Sequence, residues 1–226
     1  MGTTGYGTVY ELTPSAGTWS ELDLADADNS TSGVVFDNAG NIYGSNEGEG
    51  YGGVYQLVHS GSGWHWNQMY SIINIPEDGY DTWGGVILDN AGNIYGSTLG
   101  EGPGGGGTVF ELSAGSWNFS VLYGLTGDSG PEESLTMDSA GNLYGATWGG
   151  GTYSQGNVFK LSPSGSGWIY TDLHDFTGGS DGGHPVSNVV IDAHGNLYGT
   201  ASRGGSGPCT STYNGNGCGV VWKITP

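Results

Sequence analysis

Four times along the chain an Asp opens the pattern D-x-x-G-N-x-Y-G: DNAGNIYG at 37–44 and again at 89–96, DSAGNLYG at 138–145 and DAHGNLYG at 192–199. The opening Asp residues fall at 37, 89, 138 and 192, which are 52, 49 and 54 positions apart. A near-constant period of that size restricts a fold strongly, because each unit must bury its apolar face against the next copy of itself. A second pattern, G-x-V-aromatic-x-L/I, recurs as GTVYEL (7–12), GGVYQL (52–57), GTVFEL (107–112), GNVFKL (156–161) and GVVWKI (219–224). The first four copies are each followed by a tryptophan segment: TWSELDL (18–24), GWHWNQMYSI (63–72), SWNFSVLYGL (116–125) and GWIYTDLHDF (167–176).

Each unit therefore reads as four short strands. In the first full unit GVVFD (33–37) is an apolar run, NAG is a tight turn, NIYG returns, GVYQLV is the third strand and WHWNQMYSI the fourth. Period-two alternation in the last two is the signature of a sheet face. Gly supplies positive φ in the turn and Asp or Asn caps its own backbone. Glycine is the compositional outlier, 48 of 226 residues, yet 14 Tyr and 8 Trp argue against a disordered linker, so the glycines mark turns. Helices are expected to be nearly absent.

Tandem four-stranded units of this length suit β-propeller blades, and the expected class is all-β. The expected divisions are 1–32 (a partial unit, strands three and four), 33–84, 85–134, 135–186 and 187–226 (partial, strands one to three). Strands from both ends would then share one blade and close the ring, with the Trp19 strand completing the sheet of strands 187–192, 196–201 and 219–225. Closure within one chain predicts a monomer. The same donation between chains would give an eight-bladed dimer or a fibre.

The joint pattern, seen whole in GNVFKLSPSGSGWIYTDLHDFTGGSDGGHPVSNVVIDAHGNLYGTASRGG (156–205), resembles the GloVer tandem repeat of bacterial surface and secreted proteins. The resemblance covers nearly the whole chain. It departs most in ADADNSTS (25–32) and in the glycine loop EGPGGGG (101–107). The resemblance implies an extracellular propeller-like array and carries no catalytic residue.

Charge narrows the partners. Three Lys and Arg against 22 Asp and Glu give a formal net charge of −19. Such a surface repels nucleic-acid phosphates and anionic membranes, and no apolar run of ~18 residues exists to span a bilayer. A protein or a glycan at the cell surface is the expected partner. The beginning MGTTGYGTVYEL has neither a basic start nor an apolar segment, which predicts a fragment of a longer secreted precursor. Cys209 and Cys218, nine apart in GPCTSTYNGNGCG, are expected to form a loop-closing disulfide and to place the chain in an oxidising compartment.

Three kinds of site residue stand out. Counting eleven back from the turn Asp gives Asp26, Asp78 and Asp181, with Asp128 one residue displaced. Together with loop carbonyls they would suit Ca²⁺, and the alternative is ordinary turn chemistry at Asp-Gly. Glu47, Glu49, Glu77, Glu101, Glu132 and Glu133 offer carboxylates, but spacing in repeat loops selects no glycosidase pair. The five histidines show no ligand spacing, and no catalytic residue is assigned. Trp19, Trp64, Trp117 and Trp168 recur once per unit and are expected to pack between blades. Trp83, Trp148, Tyr51, Tyr153 and Tyr213 do not recur and sit in glycine loops, where rings beside carboxylates form a sugar-stacking arrangement. The sequence thus favours a non-catalytic repeat scaffold or interaction module, with a glycan-binding propeller as the alternative and a polysaccharide-active enzyme behind both.

Overall fold

A computed structural model describes residues 7–27, 29–30, 32–47, 51–73, 77–127, 130–211 and 215–225. Its elements run β1 (Thr8–Ser15), β2 (Thr18–Asp26), β3 (Val35–Phe36), β4 (Ile42–Asn46), β5 (Gly53–Ser60), β6 (Gly63–Ser71), β7 (Ile87–Leu88), β8 (Ile94–Ser97), β9 (Gly105–Leu112) and β10 (Phe119–Thr126). They continue with β11 (Thr136–Met137), β12 (Leu143–Thr147), β13 (Asn157–Ser164), β14 (Gly167–Asp175), β15 (Gly183–Pro185), β16 (Val190–Ile191), β17 (Leu197–Arg203), β18 (Thr210–Ser211), β19 (Gly215–Asn216) and β20 (Val220–Ile224). No helix occurs among the described residues. Sheets β3–β6, β7–β10 and β11–β14 are antiparallel and ordered as in the chain. The fourth is built on β17, which pairs with β15, β16 and β20. The hairpin β1–β2 stands as a sheet of its own.

The two sequence patterns meet inside each of the four larger sheets. The last Gly of D-x-x-G-N-x-Y-G lies across the ladder from the aromatic of G-x-V-aromatic: Gly44 faces Tyr55, Gly96 Phe110, Gly145 Phe159 and Gly199 Trp222. The ring stands against the glycine. A Cβ on Gly145 would stand 2.6 Å from Phe159 Cζ. Glycine is required there for room, because interiors at crystal-like density cannot yield that distance.

The apolar core lies between sheets. Tyr95, Val109 and Leu125 of the second full sheet pack with Leu135, Leu143, Phe159 and Leu161 of the third. Equivalent clusters join the first to the second sheet, the third to the fourth, and β1–β2 to the first. Trp64, Trp117 and Trp168 pack against these clusters, as the once-per-unit spacing predicts. Trp19 is 68 % exposed. It occupies the position that would meet a preceding sheet, and none lies against it among the described residues.

The expected sharing of one blade between the two ends is not among these pairings. β2 pairs with β1, and the edge of β20 away from β17 carries no strand among the described residues. Two short additions escaped the sequence reading: β15, which extends the pairing of β17, and the small hairpin β18–β19.

Candidate functional site

The strand order divides the surface into two faces of opposite chemistry. One carries the turns joining strands one and two of each unit, and these are built alike. The carboxylate of Asp138 accepts the N–H groups of Ala140 and Asn142 at 2.9 Å each on Oδ1. Its Oδ2 accepts Asn142 Nδ2 at 2.7 Å and the Tyr144 hydroxyl at 3.1 Å. Asp37, Asp89 and Asp192 hold the same four partners. Gly141 supplies the φ of +80° that lets the turn close. Burial pushes the Asp138 carboxyl up, but the hydrogen bonds from Asn142, Ala140 and Tyr144 outweigh it and hold it below the usual carboxylate range. Tyr144 is pushed up to about 12 by burial and by its bond to Asp138. Every polar residue of the pattern is spent on the turn itself.

The opposite face carries the loops between strands two and three and the segments that lead into strand one. Antiparallel pairing brings both to the same end of each sheet. Trp83, Trp148, Tyr51, Tyr153, Asp26, Asp78, Asp181 and the disulfide loop therefore all lie on it. Asp128 and Tyr213 lie outside the described residues, as does Glu49. Among the described residues no three His, Cys, Asp or Glu gather as a metal site. Asp78 is buried and accepts the Tyr70 hydroxyl at 2.7 Å, while its carbonyl accepts Thr108 Oγ1 at 2.9 Å. Asp181 accepts the Thr177 N–H at 2.9 Å and faces His174 Nε2 at 3.3 Å. Asp26 is exposed at the end of β2. Those bonds tie the loops down at Asp78 and Asp181, as local turn chemistry does.

The aromatics separate into two groups. Tyr51 and Tyr153 are half exposed. Trp148 is not a free platform: the His184 ring stacks on it at 4.0 Å between centroids and the Arg203 guanidinium lies 5.5 Å from its centroid. His184 is buried, with Nδ1 donating to Trp148 O at 2.9 Å, and burial pushes its ring down so that it stays neutral. Nothing in the spacing of the histidines points to that stack. Trp83 is 39 % exposed and opens onto a cavity of about 530 Å³.

That cavity lies where the segments approaching strand one converge from four sheets. Its wall is Ser32 and Gly33, then Trp83, then Glu132, Glu133 and Ser134, then Asn188, with Glu47 from a neighbouring loop. All but Glu47 fall four to six residues before a turn Asp. The same counting that found Asp78 would have found them at a shorter offset. Small residues let the segments touch: a Cβ on Gly84 would stand 2.6 Å from Glu133 O, and one on Gly85 2.7 Å from Ser134 Oγ. Ser45 Oγ donates to Gly84 O at 2.8 Å and pairs with Ser32 Oγ at 2.9 Å, stitching the first sheet to the second there. Burial, then the neighbouring Glu133, pushes Glu132 up; burial alone does so for Glu133, and burial with Glu47 does so for Asp81.

The Cys209–Cys218 disulfide closes the corresponding loop of the fourth sheet, with 5.1 Å between its Cα atoms. It fits a non-cytoplasmic location. No described helix is long and apolar enough to cross a membrane.

Over residues 1–213 the sequence matches the Gloeobacter/Verrucomicrobia repeat. The chain belongs to that repeat family. A search of curated proteins finds no match. Among solved structures the chain resembles an X-ray structure of a gluconolactonase candidate, with 16 % identity and a TM-score of 0.50 over 81 % of this chain and 61 % of that one. The likeness is one of fold: successive four-stranded sheets in a propeller-like array. The chain spans less than two thirds of the length of that protein.

Proposed function

We propose that this member of the repeat family is a non-catalytic extracellular module that binds its partner with the loop face. One observation carries the reading: the non-repeating aromatic and acidic side chains lie on one face, where Trp83, Glu47, Glu132 and Glu133 line a cavity, while the repeated ones are spent on turns and core. A rigid scaffold with variable loops is how folds of this kind present binding surfaces. A second reading, binding of a glycan, draws on the exposed rings of Trp83, Tyr51 and Tyr153, the first of which shares a cavity with Glu47, Glu132 and Glu133. An enzyme is the remaining class. The gluconolactonase candidate shares the fold with this chain, which supports lactone hydrolysis only weakly.

Screening the full chain against a glycan array and a set of secreted proteins, beside an assay of gluconolactone hydrolysis, separates the three. Capture of a protein or glycan that is lost on substituting Trp83 fits the module. Turnover that survives purification and scales with protein overturns it. Calcium at Asp78 or Asp181 would have to displace bonds already made, and isothermal titration with CaCl₂ against an EDTA-treated control tests it directly. We also read the chain as closing on itself through its two ends, as a monomer. A solution mass near 23.2 kDa fits that, and twice the mass points to exchange of β1–β2 between copies.

A further inference from the structure

We propose that His184 is an acid-released latch over Trp148: it holds the loop at 148–156 of the third sheet shut, and frees the Trp148 ring on the loop face when it takes up a proton. This rests on taking the loop face as the binding face, and names how that face is regulated. His184 stands on β15, which extends the fourth sheet, and reaches from there to the third. Its ring stacks on the Trp148 ring at 4.0 Å between centroids. Its Nδ1 donates to Trp148 O at 2.9 Å, and its backbone N–H donates to Gln155 O at 2.7 Å. The next residue closes the same contact, since a Cβ on Gly156 would stand 2.6 Å from Pro185 Cδ.

The backbone of this position is repeated and its side chain is not. Eight residues before each turn Asp stand Asn29, Asp81, Gly130 and His184. Asn29, Asp81 and His184 share a positive φ, of 49°, 57° and 53°. The Asp81 N–H donates to Tyr51 O at 2.7 Å, just as that of His184 donates to Gln155 O. Gly, Asn and Asp meet the need for that conformation on their own. The histidine ring adds the contact to Trp148.

That contact depends on a neutral ring. Trp148 O can only accept, so Nδ1 carries the proton and Nε2 is left with a bare lone pair. Nε2 is buried, and no described residue bonds it. A second proton would make a buried N–H with no acceptor. It would also put a positive charge beside Arg203 of β17, whose guanidinium lies 5.5 Å from the Trp148 centroid. Arg203 is the charged group whose field reaches His184. Tyr153 of the 148–156 loop is exposed, and Asp181, ahead of β15, is taken up by Thr177 and His174. Burial outweighs the bond to the Trp148 carbonyl, Arg203 adds to burial, and the imidazole is held below its ordinary value. The latch is therefore whole above the unfolded histidine value of about 6.5 and is lost as pH falls beneath it.

Hydroxyl-radical footprinting of the full chain, read at each tryptophan by mass spectrometry, tests the latch without any ligand. Between about pH 7.5 and about pH 5, oxidation of Trp148 should rise roughly threefold or more. That of Trp19, already 68 % exposed, should stay level. His184→Gln does not titrate in this range, so its Trp148 oxidation should be the same at both pH values, while His174→Gln should keep the parent's rise. Should His184→Gln fail to fold, Arg203→Met decides: with the neighbouring charge gone the rise should begin at a higher pH, and an unmoved onset counts against the latch. A flat parent, or a rise that survives in His184→Gln, overturns the proposal. Running the partner screen at both pH values separates this from the broader reading. Capture at about pH 5 that needs Trp148 and is absent at about pH 7.5 ties the latch to binding. Capture that is alike at both leaves the loop face its role and overturns its regulation by His184. The expected footprint with no capture at either pH keeps the latch and counts against the broader reading.

Discussion

The turn face and the loop face are made from the same repeats and obey opposite rules. On the turn face four carboxylates each accept four hydrogen bonds, and the pKa of each is held down by them. On the loop face Asp81, Glu132 and Glu133 are pushed up by burial, with no comparable set of donors around them among the described residues. One face uses charge to hold the chain. On the other, charge sits at Asp81, Glu132 and Glu133 where burial disfavours it, while Asp181 is held down by its bonds to Thr177. Repetition therefore teaches where structure is made, and departure from repetition teaches where chemistry is left over.

The comparison can be broken first at the glycine–aromatic pair, which belongs to neither face. Gly145→Ala drives a methyl into Phe159, which is wholly buried. It should cost about 3 kcal/mol or more in urea denaturation, and a loss under ~1 kcal/mol would mean that the rings are not fixed over the glycines. Next, reducing Cys209–Cys218 acts on the loop face alone. The closed loop is short, so the chain-entropy argument gives about 2–3 kcal/mol. Hydrogen exchange should rise around 204–219 and stay unchanged in the three turns at 37–41, 89–93 and 138–142.

Asp138→Ala removes all four bonds of one turn, each partly open to water, and should cost about 1–2 kcal/mol at neutral pH. The sign with pH follows from a lowered folded-state pKa. Ionised Asp138 contributes stability above the unfolded value of about 3.9, and that contribution is lost as pH falls through the folded value. Parent and variant should thus converge as pH falls below the lowered folded value, and a gap that persists there would separate the effect from ionisation. The smallest effect has the opposite sign. Glu132 has a raised folded-state pKa, so its charge opposes folding above that value. Glu132→Gln should raise the melting temperature slightly at pH 7, and the gain should vanish as pH falls below about 4. A destabilised Glu132→Gln would place this carboxylate among the groups that hold the fold.

The strands and turns were legible because they repeat. The Asp, Gly, Asn and Tyr of each turn lie within eight residues, so their hydrogen bonds are local and their spacing alone declares them. The glycine–aromatic pair was half visible: both patterns could be seen, but that Gly145 faces Phe159 depends on strand register. The central cavity was less visible still. Glu132, Trp83 and Asn188 come from different units, share no residue type and meet only because four approach segments converge. Trp148 misled for a related reason: its exposed-looking glycine loop is covered by His184, 36 residues away, on a strand of the next sheet. Sheet order also ran past the repeat in β15, whose pairing with β17 uses a loop that the turn pattern does not reach.

Because each apolar cluster lies between neighbouring sheets, the seam is the unit of stability, and no single repeat owns one. Recombination that duplicates a repeat inserts one sheet and one seam and leaves every other seam with the same two walls. Loss of a repeat removes one of each in the same way. A gene built on this plan can change its number of units in a single event without redesigning any packing. A point substitution in a seam residue such as Leu161 is felt on both sides of that seam at once. The residues that face a seam are therefore held by two neighbours.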